Sequence, residues 1–250
     1  MVYHVLNGDA LAYSFPETRL RGEIIVAREA LVDGDVSGES LADFWSVRAN
    51  FLGVDSDEYH QKTVSEFNRI LEAPPYSTFY MWFEYDLFCQ VNMWFVLSLI
   101  QQVGLETSVY VVYPSHLDRD STHFWNGFGP ASTYDLIDCF ERKLLLSKEE
   151  ILLGHQLWYA YKNDNLDVLT SLSKKSSSAF PYLRDVVNAH IDRFPKDGQK
   201  GRPEKVIEEI VQNVSTEFPT VCREFWKRES IYGFGDTQVK TIYDRVMMSC

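Results

Sequence analysis

The chain has few cysteines, a shortage of basic residues and no long hydrophobic segment. Its four cysteines are far apart and form no C-x-x-C pair, which predicts reduced thiols and not a disulfide framework or a zinc site. There are 24 Lys and Arg against 36 Asp and Glu, a net charge of −12, which disfavours nucleic acid and anionic membranes as partners. The most apolar window, residues 93–100, is too short to span a bilayer, and the first residues lack the basic region of a signal peptide. We therefore expect a cytoplasmic protein.

The composition that remains is that of a globular protein. Hydrophobic residues make up 45% of the 250 residues and aromatic residues 14%, enough for one large domain or two small ones. The negative charge lies before residue 182, because eleven basic and eleven acidic residues balance from there to the end. A helix-turn-helix in this last part would therefore lack an overall basic balance, which disfavours direct DNA binding.

The stretch around residues 79–90 organises the chain. Residues 79–83 are almost wholly apolar and follow Pro74 and Pro75, which predicts a strand buried on both faces. The apolar run over residues 87–103 predicts a buried helix, capped by Asp86 and ended by Gly104. A strand that enters a helix through a tight turn is half of a βαβ unit.

Similar short apolar runs at residues 2–6, 23–27 and 108–113 predict three further strands, with helices between them. The predicted fold is a Rossmann-like, three-layer α/β domain over residues 1–130, with a parallel sheet of about four strands. A helical connector over residues 131–176 and a mostly helical, winged-helix-like C-terminal domain over residues 177–250 follow it. The Ser- and Lys-rich stretch at 174–178 marks the boundary between these last two parts.

Polar side chains follow each of the four predicted strands. They are Asn7 and Asp9, Arg28 and Glu29, Glu84 and Asp86, and Ser115 and His116. Because right-handed crossovers through helices make the strands parallel, we expect all of these groups at one edge of the sheet. Such an edge suits a metal-bound or phosphate-bearing ligand, or an acid–base pair. The alternative is that Asp86 only caps its helix and Glu84 only binds its own loop.

Two loops follow the fourth predicted strand. Residues 116–123 contain two histidines and two aspartates, but their spacing is not that of a metal site, so we predict a solvated loop. Residues 126–132 form a turn before a helix or a lid over the sheet edge, and we favour the turn. Gly8 allows a tight turn after the first strand, although one glycine is a weak phosphate-loop signal.

Several motifs together resemble a known family. They are Asn-Gly-Asp-Ala-Leu at 7–11, Glu-Ile-Ile-Val-Ala-Arg-Glu-Ala-Leu at 23–31, Trp-Phe-Glu-Tyr-Asp-Leu-Phe-x-Gln at 82–90 and Tyr-Gly-Phe-Gly-Asp-Thr at 232–237. The first three resemble the bacterial domain of unknown function 1835, and the last resembles its companion, domain of unknown function 3658. The resemblance implies no activity. It does imply that one group of residues belongs together: Asn7, Asp9, Arg28, Arg48, Glu84, Asp86 and Gln90, of which Arg48 and Gln90 are added by the resemblance.

Two classes of function fit these residues. In the first, the chain is a hydrolase or transferase for a phosphorylated or nucleotide-like small molecule. Asp9, Glu84 and Asp86 would then be general bases or ligands of a divalent metal, and the remaining candidates, Asn7, Gly8, Arg28, Arg48, Gln90 and His116, would bind the substrate. In the second, the chain is a non-catalytic ligand sensor or regulatory module. Its C-terminal helices would then contact a protein partner, or a second copy of the chain.

Overall fold

The fold is built on a five-stranded sheet, seen in a computed structural model that describes residues 1–104, 106–114 and 127–249. The strands lie in the order β2-β1-β3-β4-β5, and the first four are parallel. Their bounds are β1 Val2–Leu6, β2 Glu23–Val26, β3 Thr78–Trp82, β4 Ser108–Val112 and β5 Leu144–Leu145. The predicted α/β class with a parallel sheet of four strands is confirmed, and a short antiparallel strand extends it at one edge.

Helices connect the strands and make up most of the chain after β4. Those before β4 are α1 Asp9–Ser14, α2 Leu41–Leu52, α3 Ser56–Tyr59, α4 Ser65–Leu71 and α5 Leu87–Val103, and a π-helical turn, His60–Val64, joins α3 to α4. Those after it are α6 Thr133–Glu141, α7 Lys148–Lys162, α8 Leu166–Leu172, α9 Leu183–Asp192, α10 Arg202–Asn213, α11 Phe218–Glu229 and α12 Asp236–Ser249. Within the described ranges, no helix is both long and apolar enough to cross a membrane.

Side-chain caps fix where several of these helices begin. Asp86 accepts a hydrogen bond from the Cys89 backbone N–H at the start of α5, as predicted. Ser132 and Asp135 form a capping box at the start of α6, with each side chain bonded to the other's backbone N–H. A cap satisfies backbone N–H groups that have no partner inside the helix, so it sets the first residue of the helix.

The sheet separates two apolar clusters because successive side chains of a strand point to opposite faces. Tyr3 and Val5 of β1 join the larger cluster, which includes α2, α4, α5 and α7, whereas Leu6 joins the smaller one with α1 and α6. The helix α5 is buried along almost its whole length between the sheet and α7. The result is the predicted three-layer arrangement, in which α5 forms the core.

One part of the fold differs in detail from the predicted elements. The connector over residues 131–176, predicted to be helical, contains a short strand, because the chain after Glu141 leaves α6 and Leu144 and Leu145 pair with the free edge of β4. The region after β5 is helical, as predicted. In the described residues of this region the only strand-like pairing is the isolated bridge between Lys196 and Gln199, so the likeness to a winged helix rests on helices alone.

Candidate functional site

The strand order places a crevice between the ends of β1 and β3. The chain passes from β1 to β2 on one side and later returns to β3 on the other, so the two connections diverge above the sheet. Ligands of open α/β sheets bind at such a point, outside the carboxyl ends of the strands. A cavity of about 410 Å³ lies there, with these residues in its wall: Asn7, Ala10, Leu11, Ser14, Trp82, Glu84, Phe128, Gly129 and Ala131.

Glu84 is the ionisable side chain in the described wall of this cavity, and it is held from two sides. Its Oε1 accepts a hydrogen bond of 2.7 Å from the backbone N–H of Phe128, and its Oε2 lies 3.7 Å from Sγ of Cys89, which donates to it. A Cβ atom at Gly127, which has φ of 65°, would overlap the Glu84 carboxylate. The turn at 127–128 can therefore cover Glu84 only because residue 127 is glycine.

Asp86 lies behind Glu84 and is closed off from solvent. It is 2% exposed, and its Oδ1 accepts a 2.9 Å hydrogen bond from the Cys89 N–H. A Cβ at Gly233, with φ of 61°, would overlap the same carboxylate. Asp86 thus caps α5 and contacts a turn of the C-terminal helical region. Its influence on a ligand in the cavity is electrostatic.

Burial and mutual repulsion raise the pKa values of these two carboxyl groups. Burial is the larger cause of a Glu84 pKa of about 7, and the negative charge of Asp86 adds to it, while the hydrogen bonds from Phe128 and Cys89 oppose it. Burial also raises the pKa of Asp86. Among the described residues, the largest causes of the two shifts include no cationic side chain. Near neutral pH the pair therefore holds a proton that Glu84 can give up or take back at the cavity.

The same carboxylates and Cys89 are close enough to hold a metal ion. One ligand atom from each of Glu84, Asp86 and Cys89 lies within 4.8 Å of the others. The Cys89 sulfur already accepts a 3.0 Å hydrogen bond from Nδ2 of Asn7 and donates to Glu84, and burial raises the pKa of its thiol well above the usual range. A metal would need the thiolate and would break the bond to Glu84. The described hydrogen bonds satisfy the trio without an ion.

The side-chain amide of Asn92 fixes the position of Asn7 and of the loop after β2. Asn92 donates from Nδ2 to Oδ1 of Asn7 at 2.9 Å and to the Glu29 carbonyl at 2.6 Å, and its Oδ1 accepts from the Leu31 N–H at 3.1 Å. Both side-chain polar atoms of Asn7 therefore form hydrogen bonds, Oδ1 with Asn92 and Nδ2 with Cys89. Asn92 and Cys89 were absent from the predicted site. The signal for Asn92 was present, because a buried amide within the apolar run 87–103 must have partners.

Gln90 supports the end of β3 instead of facing the cavity. Its Nε2 donates to the Glu84 carbonyl at 2.7 Å and lies 3.4 Å from the Tyr113 hydroxyl. That hydroxyl donates to the carbonyl of Ala179 at 2.7 Å. Gln90 therefore fixes the backbone that presents the Glu84 side chain, and it links the ends of β3 and β4 to the helical region.

Arg28 and Asp9 form an ion pair next to the cavity. Nε of Arg28 lies 2.9 and 3.0 Å from the two carboxylate oxygens of Asp9, and Nη1 donates to the Lys62 carbonyl at 2.9 Å. Their side chains are 32% and 53% exposed, so both groups are open to solvent. Asp9 is adjacent to Gly8, which takes a positive φ of 87°, and to Ala10 of the cavity wall.

Arg48 lies outside the cavity, in a buried network. Its side chain is fully buried, and each of its five N–H groups has a protein acceptor: the Glu29 carboxylate twice, and the carbonyls of Ala30, Asp33 and Asp35. Glu29 also accepts from the Tyr59 hydroxyl and the Ala30 N–H. Arg48 therefore stabilises the conformation of the loop after β2. The predicted candidates Ser115 and His116, and the loop 116–123, lie outside the described residues.

Comparison of the chain with family models, with curated proteins and with solved structures gives no match in any of the three. The resemblance to the domains of unknown function stays a prediction. Three of the four cysteines, Cys89, Cys139 and Cys222, are free thiols, as predicted.

Proposed function

We propose that the chain is an enzyme that uses Glu84 as a general acid–base group on a small molecule bound between β1 and β3. The observation that carries this proposal is a carboxyl group with a pKa of about 7 in the wall of a 410 Å³ cavity at the strand ends. A general acid or base works best when its pKa is close to the working pH. Perturbed carboxyl groups in a cleft are accordingly typical of catalytic sites.

The surroundings of Glu84 suit repeated proton transfer. Phe128 donates to Oε1 whether the carboxyl is charged or neutral, so the side chain keeps its orientation in both states. Asp86, buried behind it, keeps the energy of the charged form high. Asn7 provides an amide in the cavity wall whose own position is fixed by Asn92. Hydrolysis and group transfer both need such a proton acceptor for the attacking nucleophile.

The wall composition favours a substrate with a flat or ring-shaped part. Trp82 and Phe128 line the cavity with ring centroids 5.7 Å apart, and Ser14, Asn7 and Glu84 supply polar groups. No described lining residue is cationic. A phosphorylated or nucleotide-like substrate would therefore direct its anionic group towards Arg28, which would exchange part of its contact with Asp9 for the phosphate.

The test is a panel of nucleosides, nucleoside monophosphates and sugar phosphates, measured by thermal shift and by turnover. We expect a phosphorylated member to raise the melting temperature more than its unphosphorylated counterpart, and Arg28→Met to remove that difference. Glu84→Gln keeps the hydrogen bond from Phe128 but cannot transfer the proton, so it should lower turnover by about 10² to 10⁴.

The matched control is Glu141→Gln, which makes the same change at an exposed glutamate at the end of α6. Turnover of this variant should equal that of the unaltered protein. The proposal is wrong if Glu84→Gln turns over any substrate of the panel at the unaltered rate. It is equally wrong if no member of the panel binds to well-folded protein.

A further inference from the structure

A second cavity, which shares no lining residue with the one at Glu84, lies where the loop after β2 meets the C-terminal helices. It has a volume of about 260 Å³ and is bounded by the loop at 32–33, the end of α9, the start of α10 and one face of α12. Its apolar wall consists of Val32, Phe194, Pro195, Pro203, Phe234 and Ile242. Ligand sites are typically apolar cavities with a few well-placed polar groups, and this volume suits a ligand smaller than a drug-sized molecule.

Two opposite charges face this cavity without a charged partner. Arg193 has neutral described acceptors, the Val32 carbonyl at 2.7 Å and the Tyr161 hydroxyl. The described contact of the Asp33 carboxylate is a long one, 3.5 Å from Nε2 of Gln238. In the part of the chain that the structure describes, neither Arg193 nor Asp33 forms an ion pair, with each other or with a third residue.

The other charged residues of the wall are already compensated. Glu204 lies 3.8 Å from Nη1 of Arg245 and 3.5 Å from Nζ of Lys200. The guanidinium of Arg193 and the carboxylate of Asp33 are therefore the charges available to a ligand. A ligand that matches them carries one negative and one positive group, together with an apolar part for the rest of the wall.

We propose that this cavity binds a free α-amino acid with an apolar side chain. The carboxylate of the ligand pairs with Arg193, its ammonium group pairs with Asp33, and its side chain contacts Phe194, Phe234 and Ile242. Partly buried pairs of this kind are stronger than exposed ones, because solvent screens them less. The inference is independent of the proposed catalysis at Glu84, because it involves none of the residues of that cavity.

Isothermal titration with glycine, L-leucine and L-phenylalanine tests the proposal. L-Leucine is compared with two analogues that each lack one charge, 4-methylpentanoate and L-leucinamide. We expect leucine or phenylalanine to bind, glycine to bind more weakly, and each analogue of leucine to bind about tenfold more weakly or worse, because each analogue loses one charge-assisted hydrogen bond. If none of the three amino acids binds, or if an analogue binds as well as its parent, the proposal is wrong.

A pair of variants in one loop supplies the matched control. Asp33→Asn removes the charge that faces the cavity, whereas Asp35→Asn removes one two residues away that lies outside the cavity. Both residues keep the backbone carbonyl that Arg48 binds. Asp33→Asn should weaken binding of the amino acid about tenfold and leave 4-methylpentanoate unaffected, and Asp35→Asn should change neither. Equal effects of the two variants would overturn the assignment, while Glu84→Gln should leave amino-acid binding unchanged.

Discussion

Replacing Glu84 with glutamine should stabilise the protein at pH 8 and have little effect at pH 5. The raised pKa means that the folded state holds a proton on Glu84 that the unfolded chain has already released. Below the ordinary pKa of 4.5 Glu84 is protonated in both the folded and the unfolded state, so it does not lower the free energy of unfolding. Between 4.5 and about 7 the unfolded chain ionises first, and the folded state loses stability steadily; above about 7 the loss is complete.

The size of the effect follows from the same pKa. A rise from 4.5 to about 7 corresponds to at most about 3.4 kcal/mol at 1.36 kcal/mol for each pH unit. Because Glu84 is only partly buried and solvent screens its charge, we expect about half of this limit, or about 1–2 kcal/mol. Glutamine has nearly the same shape and can still accept from the Phe128 N–H, so the change isolates the charge.

Urea unfolding of the unaltered protein and of the variant at pH 5 and pH 8 measures this difference. The quantity of interest is the gain in unfolding free energy at pH 8 minus the gain at pH 5. Glu141→Gln, at an exposed position, should give a value near zero. If Glu84→Gln gives the same gain at both pH values, Glu84 ionises normally and the electrostatic reasoning about the site fails.

Two further predictions concern stability. Arg48→Met should destabilise the protein by about 3–5 kcal/mol in urea unfolding, since it leaves the Glu29 carboxylate buried without its cation; a loss below about 1 kcal/mol would contradict the buried network. Gly233→Ala should lower the melting temperature well beyond Gly198→Ala. Both glycines have a positive φ, at 61° and 74°, but only a Cβ at 233 overlaps Asp86 while one at 198 meets open space. Equal losses of melting temperature in the two variants would show that the turn at Gly233 is not in close contact with Asp86.

Local sequence patterns were sufficient to predict the elements of the core. The first strand and the helix α5 agree with the predicted bounds to the residue, because an unbroken apolar run ended by a cap or a polar group leaves little freedom. The short strand β5 could not be predicted in this way. Leu144 and Leu145 are exposed, and they form a strand only because the edge of β4 offers them unpaired backbone groups.

The candidate site was predictable in outline and not in its contacts. The ends of parallel strands bring Asn7 and Glu84 to one edge whatever the connecting helices contain. Whether an arginine faces a ligand or a carboxylate depends on how the loop after β2 folds back. The local sequence pattern does not determine this tertiary arrangement. Arg48 therefore lies in a buried network, and Arg28 beside Asp9, although both have the residue type expected of a phosphate clamp.

The contact between Gly233 and Asp86 bears on how this molecule can be divided. A fragment that ends after α5 or β4 would leave the Asp86 carboxylate and the first turn of α5 open to water on one side. Hydration would relieve the burial that raises the pKa values of both carboxyl groups. The raised pKa values of Glu84 and Asp86 thus depend on both the sheet region and the C-terminal helical region. A chimera that joins the sheet of this chain to foreign helices would have to recreate the turn at Gly233 to keep them.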